Sequence, residues 1–190
     1  MKKSVIMVLL FFAVFLVSSC GQVEMKQEMP EGSLRNKKVL IACFSPSGET
    51  GKIAEEIHKE TGGDMFEIRP LYPYPESSFM TAVVARQELS DNETPIMADY
   101  LSDAAGYDVI FLGYPIWWFD APMIIRSFLK TQPLSEKIII PFSTAYISGN
   151  EASLATIRQA APEAKVLSGK VFYDDDDLKD MKSWLKNCGF

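Results

Sequence analysis

Three short stretches of the chain are apolar without interruption, and they constrain its fold more than any other feature. They cover residues 39–44, 109–112 and 138–140. A strand with one face in solvent alternates apolar and polar residues, so an unbroken run indicates a strand buried on both faces. Such strands are typical of a parallel sheet covered by helices. Residues 65–68 and 166–173 are weaker strand candidates.

Segments with apolar residues at helical spacing lie between these strands. A further helix is predicted over residues 78–89, inside the long connection between the second and third strands. The spaced segments are residues 50–61, 120–131, 150–160 and 177–188. The alternation predicts an α/β three-layer sandwich around a five-stranded parallel sheet. Ligands of such sheets bind outside the carboxyl ends of the strands, so the candidate binding loops are residues 45–51, 113–121 and 143–150.

The first candidate loop reads Ser45-Pro46-Ser47-Gly48-Glu49-Thr50 and leads from a strand into a helix. Hydroxyls and successive backbone N–H groups at a helix N-terminus bind anions such as phosphate, and Gly48 permits close approach. An ordinary polar turn with a Ser or Thr cap is the alternative. A P-loop is excluded because this chain has Pro46 and Ile53 where that motif needs Gly and Ser or Thr.

The second candidate loop, residues 113–122, carries four aromatic side chains in six residues. Flat aromatic surfaces suit a flat conjugated ring. The alternative is that Trp117, Trp118 and Phe119 pack the loop onto the following helix, and we expect one of the two Trp side chains to do so. The third loop, residues 141–150, is small and polar. It offers backbone N–H groups and one tyrosine to the edge of a ring, or forms a capped turn.

Together the three loops resemble those of the flavodoxin-like family, over about residues 37–190. Residues 43–50 are similar to the strand-YSxTGNT opening of a bacterial flavodoxin subgroup, and residues 113–122 to its GYPIWW..AP loop. The resemblance implies strand order 2-1-3-4-5 and noncovalently bound FMN. It implies a phosphate site at Ser45, Ser47, Gly48, Glu49 and Thr50, a ring site at Pro115, Ile116, Trp117 and Trp118, and contacts on the other side of the ring from Thr144, Ala145, Tyr146 and Gly149.

Two positions depart from the family pattern. Glu49 stands where the family usually has Asn, and a carboxylate repels a phosphate unless it turns to solvent or bonds nearby backbone. The third loop has Tyr146-Ile147 in place of a Gly-rich sequence. FMN would carry the redox chemistry itself, so no side chain is expected to act as catalytic acid or base.

The N-terminus has the pattern of an export signal. Lys2 and Lys3 precede the apolar residues 5–17, which are too few for the ~20 that span a membrane, and small residues follow. Residues 17–20 resemble a bacterial lipobox, in which Cys20 becomes the lipidated first residue. A plain signal peptide that contains a Cys is the alternative. We therefore predict a signal peptide over 1–19, a lipidated Cys and flexible tether over 20–36, and the domain over 37–190.

Charge narrows the choice of partners. Without residues 1–19 the chain has 17 basic and 25 acidic residues, a net charge of −8. Nucleic-acid binding is therefore not expected, and attachment to a membrane is expected through the lipid alone. No metal site is expected either. The acidic residues 174–177 lack the Gly and Glu of an EF-hand loop, and they suit the start of the last helix.

These features lead to one hypothesis with two alternatives. The hypothesis is an FMN-binding electron-transfer protein in the bacterial cell envelope, on the periplasmic side or at the cell surface. It would pass electrons to a redox protein or a small acceptor. The first alternative is an FMN-dependent NAD(P)H:quinone-type reductase. The second is a lipid-anchored binding module of the same fold that has lost its flavin.

Overall fold

A parallel sheet forms the centre of the protein in a computed structural model, which describes residues 28–102 and 104–190. The strands are β1 (Val39–Cys43), β2 (Asp64–Glu67), β3 (Val109–Pro115), β4 (Ile138–Thr144), β5 (Lys165–Val166) and β6 (Lys170–Phe172). Their order is β2-β1-β3-β4-β5, and β6 also pairs with β4. All of these pairings are parallel, so the predicted order 2-1-3-4-5 is confirmed.

The fifth strand position is divided, which the sequence did not predict. β5 pairs with the amino end of β4 and β6 with its carboxyl end, and Ser168 and Gly169 between them are not paired with β4. Gly169 in this gap has a φ of 69°, in the left-handed region that glycine tolerates best. The predicted single strand over 166–173 is therefore two short strands on one edge of the sheet.

Helices cover both faces of the sheet. They are α1 (Glu49–Thr61), α2 (Ser78–Asp91), α3 (Met123–Thr131), α4 (Glu151–Ala160) and α5 (Met181–Asn187). Alternate strand residues point to opposite faces, so two apolar cores result. One core joins Phe111 and Phe142 to α1 and α5, and the other joins Ile110 and Ile139 to α3 and α4. No helix among the described residues is both long and apolar enough to cross a membrane.

Residues 28–36 belong to the folded domain, which differs from the tether predicted over 20–36. Glu28 and Met29 donate backbone N–H bonds of 3.1 and 3.3 Å to the Asn187 carbonyl. Leu34 bonds the Gly189 carbonyl at 2.9 Å, and its side chain is buried in the core. An irregular segment has no periodicity, so the sequence pattern could not reveal this packing. Residues 20–27, Cys20 included, and the predicted signal peptide lie outside the described residues.

Candidate functional site

The three candidate loops meet at one edge of the sheet. Gly113 of β3 is in register with Cys43 of β1 on one side and with Phe142 of β4 on the other. The hydroxyls of Thr50 and Thr144 lie 2.8 Å apart, and Thr50 is almost fully buried. This hydrogen bond joins the first loop to the third. Thr50, predicted as a phosphate ligand, therefore uses its hydroxyl to connect two loops.

The first loop forms a cradle of backbone N–H groups. The Ser45 hydroxyl accepts a 2.8 Å bond from the Gly51 amide, and the Ser45 carbonyl accepts one of 3.2 Å from Gly48. Gly48 has a φ of 85°, which turns the chain into α1. Within the described chain, the amides of Ser47, Glu49 and Thr50 have no hydrogen-bond acceptor. Three donors at a helix N-terminus are thus available to an anion.

The Glu49 carboxylate is turned along α1. Its two oxygens lie 2.9 and 3.0 Å from Nζ of Lys52, one turn further along the helix. Both side chains are more than half exposed, so the pair contributes little to stability. Its effect on the site is electrostatic, because Lys52 offsets the charge that would otherwise repel a phosphate.

The second loop ends in a tight hairpin. The backbones of Trp117 and Asp120 exchange two hydrogen bonds of 3.0 Å, and the residues between them are Trp118 and Phe119. Their φ values of 51° and 67° match a type I′ turn, which usually contains Asn and Gly. A left-handed conformation costs such residues about 1–2 kcal/mol each. Backbone strain of this kind occurs mainly at functional sites.

Other side chains hold this hairpin in place. The Trp118 indole N–H donates a 2.8 Å bond to the Ala82 carbonyl of α2, and the Arg86 guanidinium lies 5.3 Å from the indole. The Asp120 carboxylate accepts bonds of 2.7 Å from the Ala121 amide and 2.8 Å from the Thr156 hydroxyl. Because the hairpin includes Asp120, α3 begins at Met123, three residues later than the sequence predicts.

The two adjacent tryptophans have different surroundings. The Trp117 ring packs edge-on against Phe44 at 5.4 Å and Tyr74 at 5.1 Å, measured between ring centroids. Trp118 instead lines a cavity of about 210 Å³. Its other lining residues are Ile116, Phe119, Tyr146, Ile147 and Ser148. Trp117 is thus a packing residue, although its ring partners are Phe44 and Tyr74 and not the following helix as expected, and Trp118 is the tryptophan that lines the cavity.

Two of the remaining predicted site residues, Ile116 and Ala145, form backbone hydrogen bonds that hold the loops in place. The Ile116 amide donates a 2.8 Å bond to the Thr144 carbonyl, and the Ala145 amide one of 3.2 Å to the Phe172 carbonyl. Pro115 ends β3 opposite Thr144. Gly149 is absent from the described lining of the cavity. Phe119, Ile147 and Ser148 line it and were not predicted. The only sequence signal for Ile147 was an apolar residue within a polar loop.

The cysteine at the end of β1 is not activated. Burial, with a smaller contribution from Glu67, raises the pKa of the Cys43 thiol at the end of β1 to about 12. The thiol therefore stays protonated at neutral pH and is a poor nucleophile. Among residues 28–102 and 104–190, no three His, Cys, Asp or Glu side chains are placed to hold a metal ion.

A half-buried carboxyl group, that of Glu88, contacts Tyr74 of the Trp117 cluster and leads to a prediction. The Tyr74 hydroxyl donates a 2.8 Å bond to Glu88, and burial raises the pKa of that carboxyl. The stability that this shift contributes is present below the unfolded-state pKa and is lost as pH rises through the folded-state pKa. We expect Glu88→Gln to become more stable relative to wild type from pH 4 to pH 7, as measured by urea unfolding. Glu55→Gln, which removes an exposed carboxylate from α1, is the control for loss of a negative charge, and an equal trend in both variants would contradict the prediction.

Fold and site together define a flavodoxin-like α/β protein, and comparisons support this. A family model described as flavodoxin matches residues 38–188, so the chain belongs to the flavodoxin family. A solved protein from Bacteroides eggerthii, provisionally described as a flavoprotein, is 30% identical with a TM-score of 0.70. The alignment covers 79% of this chain and 96% of that one.

Two further structures are similar. A protein from Bacteroides uniformis with the same provisional description is 27% identical, with a TM-score of 0.70 and coverage of 77% of this chain and 98% of that one. A flavoprotein from Lactobacillus acidophilus, solved in complex with FMN, is 24% identical, with a TM-score of 0.65 and coverage of 79% and 99%. The comparison with curated proteins finds no significant match.

Proposed function

We propose that the chain binds FMN, with the phosphate in the first loop and the isoalloxazine in the cavity between the second and third loops. One observation carries this proposal. An N–H cradle and a cavity bordered by Trp118 and Tyr146 lie at neighbouring strand ends of the same sheet. Membership of the flavodoxin family and the FMN complex of the Lactobacillus acidophilus protein support it.

The proposed phosphate contacts come mainly from the backbone. The amides of Ser47, Glu49 and Thr50 are the available donors, and the Ser47 hydroxyl is exposed beside them. The Ser45 hydroxyl shapes the loop through its bond to the Gly51 amide. Gly48, in the left-handed region, turns the chain from the loop into α1. The proposed ring contacts are Ile116, Trp118, Phe119 and Tyr146.

Bound FMN would supply the redox chemistry, and the protein would bind, orient and tune it. Trp118, Phe119 and Tyr146 would border the ring and offer it aromatic contact area. The net charge of −8 without residues 1–19 disfavours added negative charge on the ring, which lowers its reduction potential. We propose that the electrons pass to a redox protein or a small acceptor. Steady-state NAD(P)H oxidation with a quinone would indicate the reductase alternative instead.

We also propose that the protein is lipidated at Cys20 and held at the bacterial cell envelope, outside the cytoplasm. The support is the sequence pattern: basic residues, a short apolar segment and small residues before Cys20. The GYPIWW sequence of residues 113–118 likewise supports placement in the flavodoxin subgroup with that loop. The mass of the mature N-terminal peptide tests the lipid directly, because an unmodified Cys20 would contradict the anchor.

FMN titration of the apoprotein tests the proposed function. We expect flavin fluorescence to be quenched on binding, and Tyr146→Ala to raise the Kd about tenfold or more because stacking on one aromatic ring contributes roughly 1–3 kcal/mol. Tyr146→Phe keeps the ring and should bind like wild type. Tyr146 is 98% exposed, so neither change should alter the free energy of unfolding. Absence of quenching with folded wild-type protein would refute FMN binding.

A further inference from the structure

A band of exposed apolar side chains surrounds the proposed flavin cavity. It contains Phe79 and Val83 of α2, Trp118 and Phe119 of the hairpin, and Tyr146 and Ile147 of the third loop, and is called the apolar band here. Phe79, Phe119 and Ile147 are 75%, 66% and 88% exposed. Of the fourteen described residues of α2, one, Ala85, is fully buried. The core therefore does not explain the apolar residues of this helix.

The apolar band is continuous across three elements of the fold. The Trp118 indole bonds the Ala82 carbonyl, which lies on α2 between Phe79 and Val83. Trp118, Phe119, Tyr146 and Ile147 line the same cavity. The exposed apolar area is on the order of 600 Å² when fully exposed aromatic side chains count ~150–250 Å² each. A patch of that size on a soluble domain marks a protein or membrane contact.

The composition of the band fits a lipid bilayer. Tryptophan and tyrosine have apolar bodies with one polar group, and they favour the headgroup level of membranes. The Arg86 guanidinium beside Trp118 places a cation where headgroup phosphates would lie. The band therefore has apolar side chains that can enter the acyl region and polar groups beside them that can contact headgroups, which is the pattern of an interfacial membrane contact.

The path of the chain places the band within reach of a membrane anchor. The Glu28 carboxylate accepts 2.9 Å bonds from the Ser168 amide, on the β5–β6 edge of the sheet. Ser168 is four residues, or about 13 Å of strand, from Phe172, whose carbonyl holds the third loop at Ala145. Eight residues link Cys20 to Glu28 and can span at most about 29 Å. A lipid on Cys20 and the apolar band can therefore reach one bilayer.

We propose that the apolar band rests on the bilayer surface to which Cys20 anchors the protein, with the flavin cavity turned toward the lipid headgroups. The orientation extends the proposed function and depends on its anchor. It favours an electron acceptor dissolved in the membrane over one that diffuses in the aqueous phase.

Vesicle binding without the lipid anchor tests the apolar band on its own. The chain from residue 20 onward, with Cys20→Ser, is floated with vesicles of phosphatidylcholine and phosphatidylethanolamine. We expect it to bind, and the double change Phe119→Ser with Ile147→Ser to reduce the bound fraction at least tenfold. Ile96→Ser with Tyr100→Ser is the control pair. Those residues are 59% and 61% exposed outside the band, and their loss should leave binding unchanged.

Further results separate the possible outcomes. Anionic lipid should weaken binding because the body is acidic, and a stronger interaction would overturn the apolar contact. Failure of the wild-type chain to bind, or equal losses in both double variants, would also overturn it. A third outcome is that the wild-type chain does not bind vesicles but self-associates in light scattering, and that the Phe119→Ser, Ile147→Ser variant does not self-associate. The band would then be an interface between copies of the protein, and the membrane contact would be overturned. FMN titration of the wild-type chain and of the Ile96→Ser, Tyr100→Ser control, neither of which changes a proposed ring contact, reports on the proposed function separately.

Discussion

Replacing Gly169 with alanine is expected to lower the free energy of unfolding by more than about 3 kcal/mol, although it adds only one methyl group. A Cβ at this position would lie 2.1 Å from the Pro141 carbonyl oxygen and 2.9 Å from its carbon. Pro141 belongs to the central strand β4, which cannot move without disturbing β3. The β6 edge must separate from β4 instead, and the left-handed backbone adds its own cost.

Gly62→Ala is the matched control for this substitution. Gly62 has a φ of 68°, almost equal to the 69° of Gly169, and nothing lies within 4 Å of a Cβ built there. Its replacement should cost only the left-handed conformation, about 1 kcal/mol. Urea unfolding of both variants measures the difference. Equal losses would show that the contact with Pro141 relaxes freely and that the β6 edge is not fixed as described.

Trp117→Ala and Trp118→Ala are expected to affect different properties: the first lowers the stability of the fold, and the second weakens FMN binding. Trp117→Ala removes a ring packed against Phe44 and Tyr74, and it should lower the free energy of unfolding by about 3 kcal/mol. Trp118→Ala removes a ring that is 45% exposed and should change stability by less than about 1 kcal/mol. It should nevertheless raise the Kd for FMN about tenfold or more, because its ring borders the cavity.

Two measurements on the same samples decide between these roles. Urea unfolding of the apoproteins gives the stability change, and FMN titration without urea gives the affinity. Trp117→Phe retains an aromatic ring in the cluster and should recover part of the lost stability. A stable Trp117→Ala protein that fails to bind FMN would reverse the assignment and return the ring contact to Trp117.

The strands were predictable where burial on both faces left an unbroken apolar run. The runs at 109–112 and 138–140 lie within β3 and β4, and the run at 39–44 covers β1 and extends one residue beyond it. The break at Gly169 was not predictable, because one glycine in a weak strand does not show whether the ladder closes around it. The packing of residues 28–36 was hidden for a related reason, since it depends on contacts with residues that are some 150 positions away.

The candidate site shows the same division. The first loop could be located because hydroxyls, glycine and a helix start occur together in sequence. The hairpin could not, because Trp118-Phe119 is an unusual pair for a type I′ turn and only the surrounding contacts hold it. Neighbouring tryptophans in a loop carry no periodicity, so sequence alone cannot tell which ring packs inward.

The contact between residues 28–36 and the C-terminal residues has a consequence for biosynthesis. Residues 28–34 leave the ribosome long before their partners, Asn187 and Gly189, and can form these hydrogen bonds only after both partners have emerged. Until then Leu34 has no complete core to enter. Completion of the native structure must therefore wait until residues 187–190 have been synthesised, so the domain cannot finish folding while it is still being translated.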